Sequence, residues 1–541
     1  MSQPSLQELK TLDRVLTAHG YAIKKSSLTP RRVQALRKDL TVSPVVAAKF
    51  AKATAQPFTL YTESPTRFYV PRQWAYDVYG APEADTVSDG LPLRADLKFQ
   101  GQPYEYQKNI VDTFLQAGGN GLICVPCGRG KTFMAIWTAM RLGRKFMIVV
   151  DKEFLLQQWR GELESLVPGI RIGIVQEDKC QVDEQVIPAK PLSLAELKEK
   201  CREKGLKVGG SRDVLLERLK ESDPTFQEPQ ATTTSFDCSI AMIQTLVQRE
   251  FPEGTFRKFG FTIFDECHHL GASNFSRSLL KVQTKYMLGL SATPKRDDGL
   301  TKVFEWFLGK PVYWEKTREP DAQVIVRYEQ ITSTDPTYTE VPVDYKGEMV
   351  MARLLTKVVE HMPRTEKIAE IVRELCEDDR RRVLVLSERI SHLNTLEELL
   401  KPSGLTMSYY IGGMKEEERE AGAQSSRVLL ASYAMASEAM NIKTLNTVIL
   451  ASPRKKVEQS TGRILRIKPE QRQVAPVIVD IVDVHGVYQG QWRKRAAYYK
   501  KCAYKILKNT HVPTEEVKEH LEEPDDTGPT GCLIMDESDD D

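Results

Sequence analysis

The sequence lacks any run approaching the ~18 consecutive apolar residues that a membrane-crossing helix requires, which excludes a helical membrane protein. Its opening, Met1-Ser2-Gln3-Pro4-Ser5, has no basic stretch followed by an apolar core, so no secretory signal and an intracellular site are expected. Cysteine is scarce and scattered: nine residues, of which only Cys124 and Cys127 are near neighbours. An odd, dispersed set argues against a disulfide framework and for a reducing compartment, and zinc at that Cys-x-x-Cys would need two further ligands. What is present is an ordinary globular composition, 41% hydrophobic and 28% charged over 541 residues. At ~150 residues per domain, that length allows three to four domains with several cores.

Net charge is only +2, from 76 basic and 74 acidic residues. Residues 513–541, however, hold 12 acidic residues and one lysine, leaving 75 basic against 62 acidic in the body, about +13. Such a body suits a polyanion, whose neutralised phosphates release counterions. The acidic, aromatic-poor end is expected to be disordered.

Residues 1–95 read as an accessory domain, with a helix near Leu6 to Thr17 and a strand-like part from Phe58 to Tyr69. From Tyr106 short apolar runs alternate with amphipathic stretches: Gly121 to Val125, Phe146 to Val150, Ser239 to Ile243, Phe261 to Phe264 and Tyr286 to Leu290. A second series comprises Val383 to Leu386, Arg427 to Leu430, Thr447 to Leu450 and Pro476 to Ile481. Strands so spaced, with helices between, imply two tandem α/β domains with parallel sheets. The expected boundaries are 96–312 for the first, interrupted by an insert at 186–235, then a linker at 313–360, the second domain at 361–510 and the tail at 511–541.

After the strand Gly121 to Val125 comes Pro126-Cys127-Gly128-Arg129-Gly130-Lys131-Thr132, then a helical run. Strand, glycine-bearing loop and helix in that order make a phosphate-binding loop. Gly128 and Gly130 let backbone N–H groups turn inward with that of Arg129, Lys131 reaches the β and γ phosphates, and Thr132 can ligate Mg²⁺. The first glycine of the full GxxxxGK[ST] pattern is absent. The strand Phe261 to Phe264 ends in Asp265-Glu266-Cys267-His268. There the first acid can hold Mg²⁺ and the second can orient and deprotonate a water.

In order along residues 100 to 500 the set resembles superfamily 2 helicases and translocases. Gln107 looks like the adenine-reading glutamine, Lys131 and Thr132 like motif I, and Asp265 to His268 like motif II in a DECH version. Ser291-Ala292-Thr293 is similar to motif III, Val383 to Ser387 to motif IV, Ser437 to Asn441 to motif V, and Gln459 to Arg466 to motif VI. The resemblance implies two RecA-like domains that close on Mg·ATP. It further implies that Gly462, Arg463 and Arg466 face the nucleotide, the two arginines stacking three apart at a helix start, and that His268, Ser291, Thr293 and Glu438 couple nucleotide to nucleic acid. Motif V departs from the family's Glu-Gly-x-Asp, with Ala439 and Asn441. The stretches Gly289 to Gly299 and Ile240 to Thr245 look closest to the branch of the TFIIH translocase and the poxvirus transcript-release helicases, implying a large-DNA-virus member that works in the host cytoplasm or nucleus and travels in the virion.

Within the insert, Ser193 to Cys201, Gly205 to Arg212 and Leu215 to Leu219 resemble a SAP motif, two short helices around a glycine-bearing turn. Leu194, Leu197 and Cys201 form one apolar stripe and Leu215, Leu216 and Leu219 another, so the pair can close a small core. SAP modules bind duplex DNA, and Lys198, Lys204, Lys207, Arg212 and Arg218 would then contact phosphates; a plain helical hairpin is the alternative. Further on, Gln491 to Lys501 interleaves basic and aromatic residues, as either a nucleic-acid contact or a helix packing Trp492 and Tyr499 inward. The resulting expectation is an ATP-dependent DNA helicase or translocase with transcription-machinery partners. Its rivals are a duplex translocase that does not separate strands, a DNA-tethering transcription factor with an idle ATPase, and an RNA helicase.

Overall fold

The computed structural model describes residues 6–44, 56–126, 128–182, 184–187, 192–223, 226, 232–271, 276–296, 298–315, 320–438, 440, 442, 444–465, 467 and 469–508. Two compact units emerge, Met1–Glu319 with Ala434–Asn441 and Val457–Arg463, and Pro320–Tyr433 with Ile442–Lys456 and Ile464–Asp541. The acidic tail lies outside the described residues.

At the start of the first unit the expected helix to Thr17 stops at Thr11, and Arg14–Thr17 is a strand paired antiparallel with Gly20–Lys24. Val15 and Leu16 are buried, and sheet pairing of a β-branched segment overrides a weak helical pattern. Gly20 turns the hairpin at φ +113, where a Cβ would lie 2.7 Å from the Val70 carbonyl oxygen. The resulting five-stranded sheet shares one continuous apolar cluster, from Leu16, Tyr21 and Trp74 to Phe304 and Leu308, with the α/β sheet that follows. The buried Arg72 fastens the two together, donating to the Gln283 side chain at 3.0 Å, the Thr284 carbonyl at 2.6 Å and the Asn120 side chain at 3.2 Å.

The α/β sheet has eight strands in the order Lys179–Cys180, Ile172–Gln176, Cys238–Met242, Phe146–Val150, Phe261–Phe264, Tyr286–Ser291, Asn120–Cys124 and Pro311–Trp314. All neighbours are parallel except the first pair. Met147 and Val149 point into one apolar layer, Phe146, Ile148 and Val150 into the other, the period-two alternation of a strand covered on both faces. The insert is closed at its base by antiparallel pairing of Gln185–Ile187 with Thr232–Thr234. Beyond that base, Leu194–Glu203 and Arg212–Ser222 are helices. Leu197, Cys201, Leu215, Leu216 and Leu219 form a cluster of their own. Leu194, expected in the stripe, is instead 42% exposed, because Ser193 caps the helix and puts Leu194 in the first turn on the outer side.

The second unit is a seven-stranded all-parallel sheet in the order Met407–Tyr410, Val428–Ser432, Val383–Ser387, Thr447–Leu450, Val477–Asp483, Ile325–Ile331 and Lys505–Lys508. The segment read as a linker thus holds a strand, Ile325–Ile331, paired on both sides. Two fully buried ion pairs anchor this unit, Arg364 with Asp483 and Arg495 with Asp480. On the helix Gly486–Lys501, Tyr499 is buried and donates to Asp480 at 2.9 Å, and the Trp492 ring lies 4.5 Å from that of Tyr328. Packing, not an open nucleic-acid face, accounts for these two aromatics.

Candidate active site

The phosphate loop follows the strand Asn120–Cys124 and leads into the helix Lys131–Leu142. Gly128 and Gly130 have φ of 86° and 78°, the left-handed region in which a side chain is strained. A Cβ on Gly130 would also lie 2.6 Å from Gln107 Nε2. Gln107 itself is buried and spans the loop's flank, its Nε2 donating to the Arg129 carbonyl at 3.3 Å and its Oε1 accepting the Tyr104 N–H at 3.0 Å. The Arg129 side chain turns aside, lying 4.2 Å over the Tyr106 ring and pairing with Glu315 at 3.1 Å. Thr132 is half-buried in the first helical turn.

Asp265 and Glu266 stand at the carboxyl end of the strand Phe261–Phe264, two positions along the sheet from the phosphate loop's strand. Glu266 takes a positive φ of 41°, and its N–H donates to Asp265 Oδ1 at 2.9 Å. Trp159 Nε1 donates to Asp265 Oδ2 at 2.8 Å. Lys131 Nζ reaches Glu266 Oε1 at 3.0 Å, while Glu266 Oε2 is buried, lies 3.4 Å from His268 Nδ1 and accepts no hydrogen bond among the described residues. Burial raises the Asp265 carboxyl above its ordinary range, and the Glu266 charge beside it adds to the rise. For Glu266, burial pushes the same way, but the Lys131 ammonium, with the neighbouring histidines, overcomes it and holds this carboxyl low. One poised carboxylate and one firmly ionised one, a lysine and a positive-φ loop at a helix amino end form a site with the donors and charge for Mg·ATP. The unsatisfied Glu266 oxygen and the glycine cradle fit that group; Thr132 and Asp265 are the residues that would hold the metal.

His268 Nδ1 meets Ser291 Oγ at 3.0 Å, and the same oxygen accepts the Thr293 N–H at 3.1 Å. Burial pushes His268 down to about 4, so it is neutral near pH 7. The lysine, both acids, His268, Ser291 and Thr293 are thus linked through adjacent strand ends.

A family model described as the Type III restriction enzyme res subunit matches residues 100–296, and one for the helicase conserved C-terminal domain matches residues 366–468. With both motor domains recognised, and an ATP site built as above in the first, the assignment follows. The chain is a superfamily 2 helicase, an ATP-hydrolysing enzyme.

Several relatives of this helicase are viral. It is 28% identical over 522 residues, 94% of this chain and 88% of the relative, to a protein of Acanthamoeba polyphaga mimivirus named as an ATP-dependent RNA helicase, L396. A protein of African swine fever virus, QP509L, also named as an ATP-dependent RNA helicase, is 24% identical over 75% of this chain and 74% of its own length. The Escherichia phage T5 protein named as helicase D10 is 23% identical over 72% and 73%. A solved structure of the ATP-dependent Type ISP restriction-modification enzyme LlaBIII bound to DNA aligns at 14% identity with a TM-score of 0.47, over 77% of this helicase, which spans 32% of that chain.

Other expected site residues are placed differently. Arg463 does not open a helix: it sits in the 3-10 turn Gly462–Ile464 that follows the short helix Glu458–Thr461. Its guanidinium donates to the Ala436 carbonyl at 2.6 Å and the Met440 carbonyl at 2.9 Å. In this state it braces the motif V backbone, and Gly462 is a buried right-handed residue at the helix junction. Arg466, Cys127, Ala439 and Asn441 lie outside the described residues, as does the side chain of Glu438. In the insert, Arg212 donates to the Leu192 carbonyl at 3.3 Å and Arg218 to the Lys207 and Gly209 carbonyls, so both tie the hairpin together. Lys204 pairs with Asp223 at 2.5 Å, which leaves the half-buried Lys198 and the exposed Lys207 of the five expected contacts. Trp159 was missed: in the sequence it is one more apolar residue on an amphipathic helix, and only folding brings its N–H to Asp265.

Proposed function

We propose that this helicase is a DNA-directed motor, stepping along DNA as it hydrolyses ATP. The observation that carries the DNA reading is the insert: a hairpin with its own apolar core, closed off at its base and displaying lysines, set into the sheet that binds nucleotide. The lysines Lys198, Lys200, Lys207 and Lys220 make no ion pair among the described residues and suit phosphate contacts that fix position rather than read sequence. A SAP-like role in holding duplex DNA follows, with the motor held at its substrate between steps.

In the ATP site, bound Mg·ATP supplies the phosphoryl group and the metal charge that stabilises it. Lys131 and the loop N–H groups orient the phosphates, and Glu266, kept ionised, takes the proton of the attacking water. The TFIIH-like and poxvirus-like branch, a role in transcript release or in replication and repair, action inside a host cell and association with transcription proteins belong to the same reading. The names of the mimivirus and African swine fever virus relatives favour a second one, an RNA helicase.

Steady-state hydrolysis by the intact chain and by Lys131→Ala, alone and with single-stranded DNA, duplex DNA or RNA, tests this. Stimulation by DNA that vanishes in the variant is expected; stronger stimulation by RNA would establish the second reading. Hydrolysis no greater than the variant's in every condition would leave a DNA-tethering factor. Strand displacement then separates an unwinding enzyme from a duplex translocase.

A further inference from the structure

The loops at the carboxyl ends of the parallel strands follow the order of the sheet. Gln244 comes after Cys238–Met242, Asp151 after Phe146–Val150, Asp265 and Glu266 after Phe261–Phe264, Ser291 at the end of its own strand and the phosphate loop after Asn120–Cys124. The groups that serve the nucleotide occupy one half of this row. The other half is joined to them by a residue with no role so far, His269.

His269 Nδ1 lies 2.6 Å from Asp151 Oδ2, and the Asp151 carbonyl accepts Gln244 Nε2 at 2.6 Å. The Asp151 side chain is only 10% exposed and that of His269 29%, so this contact is partly shielded from competing water. The two histidine rings meet edge to face, centroids 4.2 Å apart at 65°. Both sit in one 3-10 turn, Cys267–Gly271, directly after Glu266. Motif II therefore forks: His268 meets Ser291, which accepts the Thr293 N–H, on one side, and His269 meets Asp151, whose carbonyl accepts Gln244 Nε2, on the other.

In open parallel sheets ligands lie in the crevice beyond the carboxyl ends of the strands. A polymer bound there beside a nucleotide falls on the half that the phosphate loop leaves open, the half of Asp151 and Gln244. Gln244 Oε1, on the helix Ile243–Gln248, is buried without a hydrogen-bond donor among the described residues, so that end of the row has an acceptor to satisfy. Asp151 and Glu266 are thus joined through one imidazole–carboxylate contact and the 3-10 turn that directly follows Glu266.

We propose that His269 is a positioning residue that carries nucleic-acid occupancy at the Asp151 loop and the start of the helix Ile243–Gln248, where Gln244 lies, to Glu266; this rests on the motor reading. The test is ATP hydrolysis by the full chain as single-stranded DNA is titrated, for the unaltered protein, His269→Ala, Asp151→Ala, the double variant and the conservative His269→Gln. Each alanine variant loses about tenfold in DNA-stimulated kcat while KM for ATP stays within about twofold. The double variant is no worse than either single one, as for two halves of one contact, and His269→Gln, which keeps a polar donor, recovers part of the loss. Stimulation retained by His269→Ala, losses that multiply in the double variant, or a KM for ATP that rises as kcat falls would each overturn the tether. Should an alanine variant fail to melt cooperatively, His269→Gln against the unaltered chain carries the comparison, and full stimulation there overturns it equally. No stimulation of the unaltered chain by single-stranded DNA, duplex DNA or RNA is a separate result, which refutes the motor reading itself.

Discussion

Replacing Glu266 by glutamine is expected to tighten nucleotide binding while stopping turnover. Lys131 is engaged with Glu266 at 3.0 Å, with side chains 12% and 20% exposed. At an effective dielectric of ~20, Coulomb's law puts the attraction at about 5 kcal/mol for that separation. Desolvation and lost side-chain freedom offset most of it, leaving ~1–2 kcal/mol that an incoming phosphate must displace. Glutamine keeps the shape and removes the charge, so Kd for a non-hydrolysable Mg·ATP analogue should fall roughly 5- to 30-fold. Hydrolysis should drop by roughly 10²- to 10⁴-fold as the base is lost. Titration calorimetry and a coupled hydrolysis assay on the same preparation read both quantities. An unchanged or weakened Kd would show that the lysine–glutamate pair does not compete with phosphate, and surviving hydrolysis would remove Glu266 from the role of base.

Three further outcomes follow from packing and charge. Asp483→Asn strands the buried Arg364, which meets Asp483 at 2.6 and 3.1 Å with neither side chain exposed, and should cost ~3–5 kcal/mol, read as a lowered denaturation midpoint of the second unit. His392 is buried, bonded through Nδ1 to Ser387, and held at about 3 against an ordinary 6.5. Its folded pKa is depressed, so the unfolded chain binds the extra proton: stability is complete above pH 6.5 and is lost as pH falls toward 3, by ~2 kcal/mol at pH 5. His392→Gln should flatten that slope in chemical denaturation at a series of pH values. Gly130→Ala, strained at φ +78 and pressing a methyl group on the Gln107 amide, should cost ~1–2 kcal/mol and weaken nucleotide binding measurably by calorimetry.

Most inner strands of both sheets were legible because they are buried on both faces: Phe261–Phe264 and Val383–Ser387 are continuous apolar runs, whereas Ile172–Gln176, Pro311–Trp314, Met407–Tyr410 and Lys505–Lys508 were not named. Lys131, Asp265 and Glu266 were legible because their chemistry depends on residue types at fixed offsets from such strands. The strand Ile325–Ile331 was not, since its Arg327 and Glu329 break the apolar pattern; the polarity makes sense only once Arg327 is seen paired with Glu329 and with Glu374 from a distant helix. Arg14–Thr17 was misread because four residues carry too little period to separate a strand from a helix end. Arg212 and Arg218 looked like phosphate ligands because charge is visible in a sequence and the carbonyls that claim it are not.

What the sequence determined by itself was the order of most inner strands, the two apolar series and the residues of the candidate phosphate site, all of which rest on local spacing. Only the tertiary structure decided which partner each polar group takes. Lys131 holds Glu266, Trp159 holds Asp265, Arg463 braces the motif V backbone, and His268 and His269 reach opposite ways along the strand ends. The reason is physical: a buried donor or acceptor must be satisfied, and the atom that satisfies it is chosen by proximity in space, which strand order and crossover connections set across more than a hundred residues of chain.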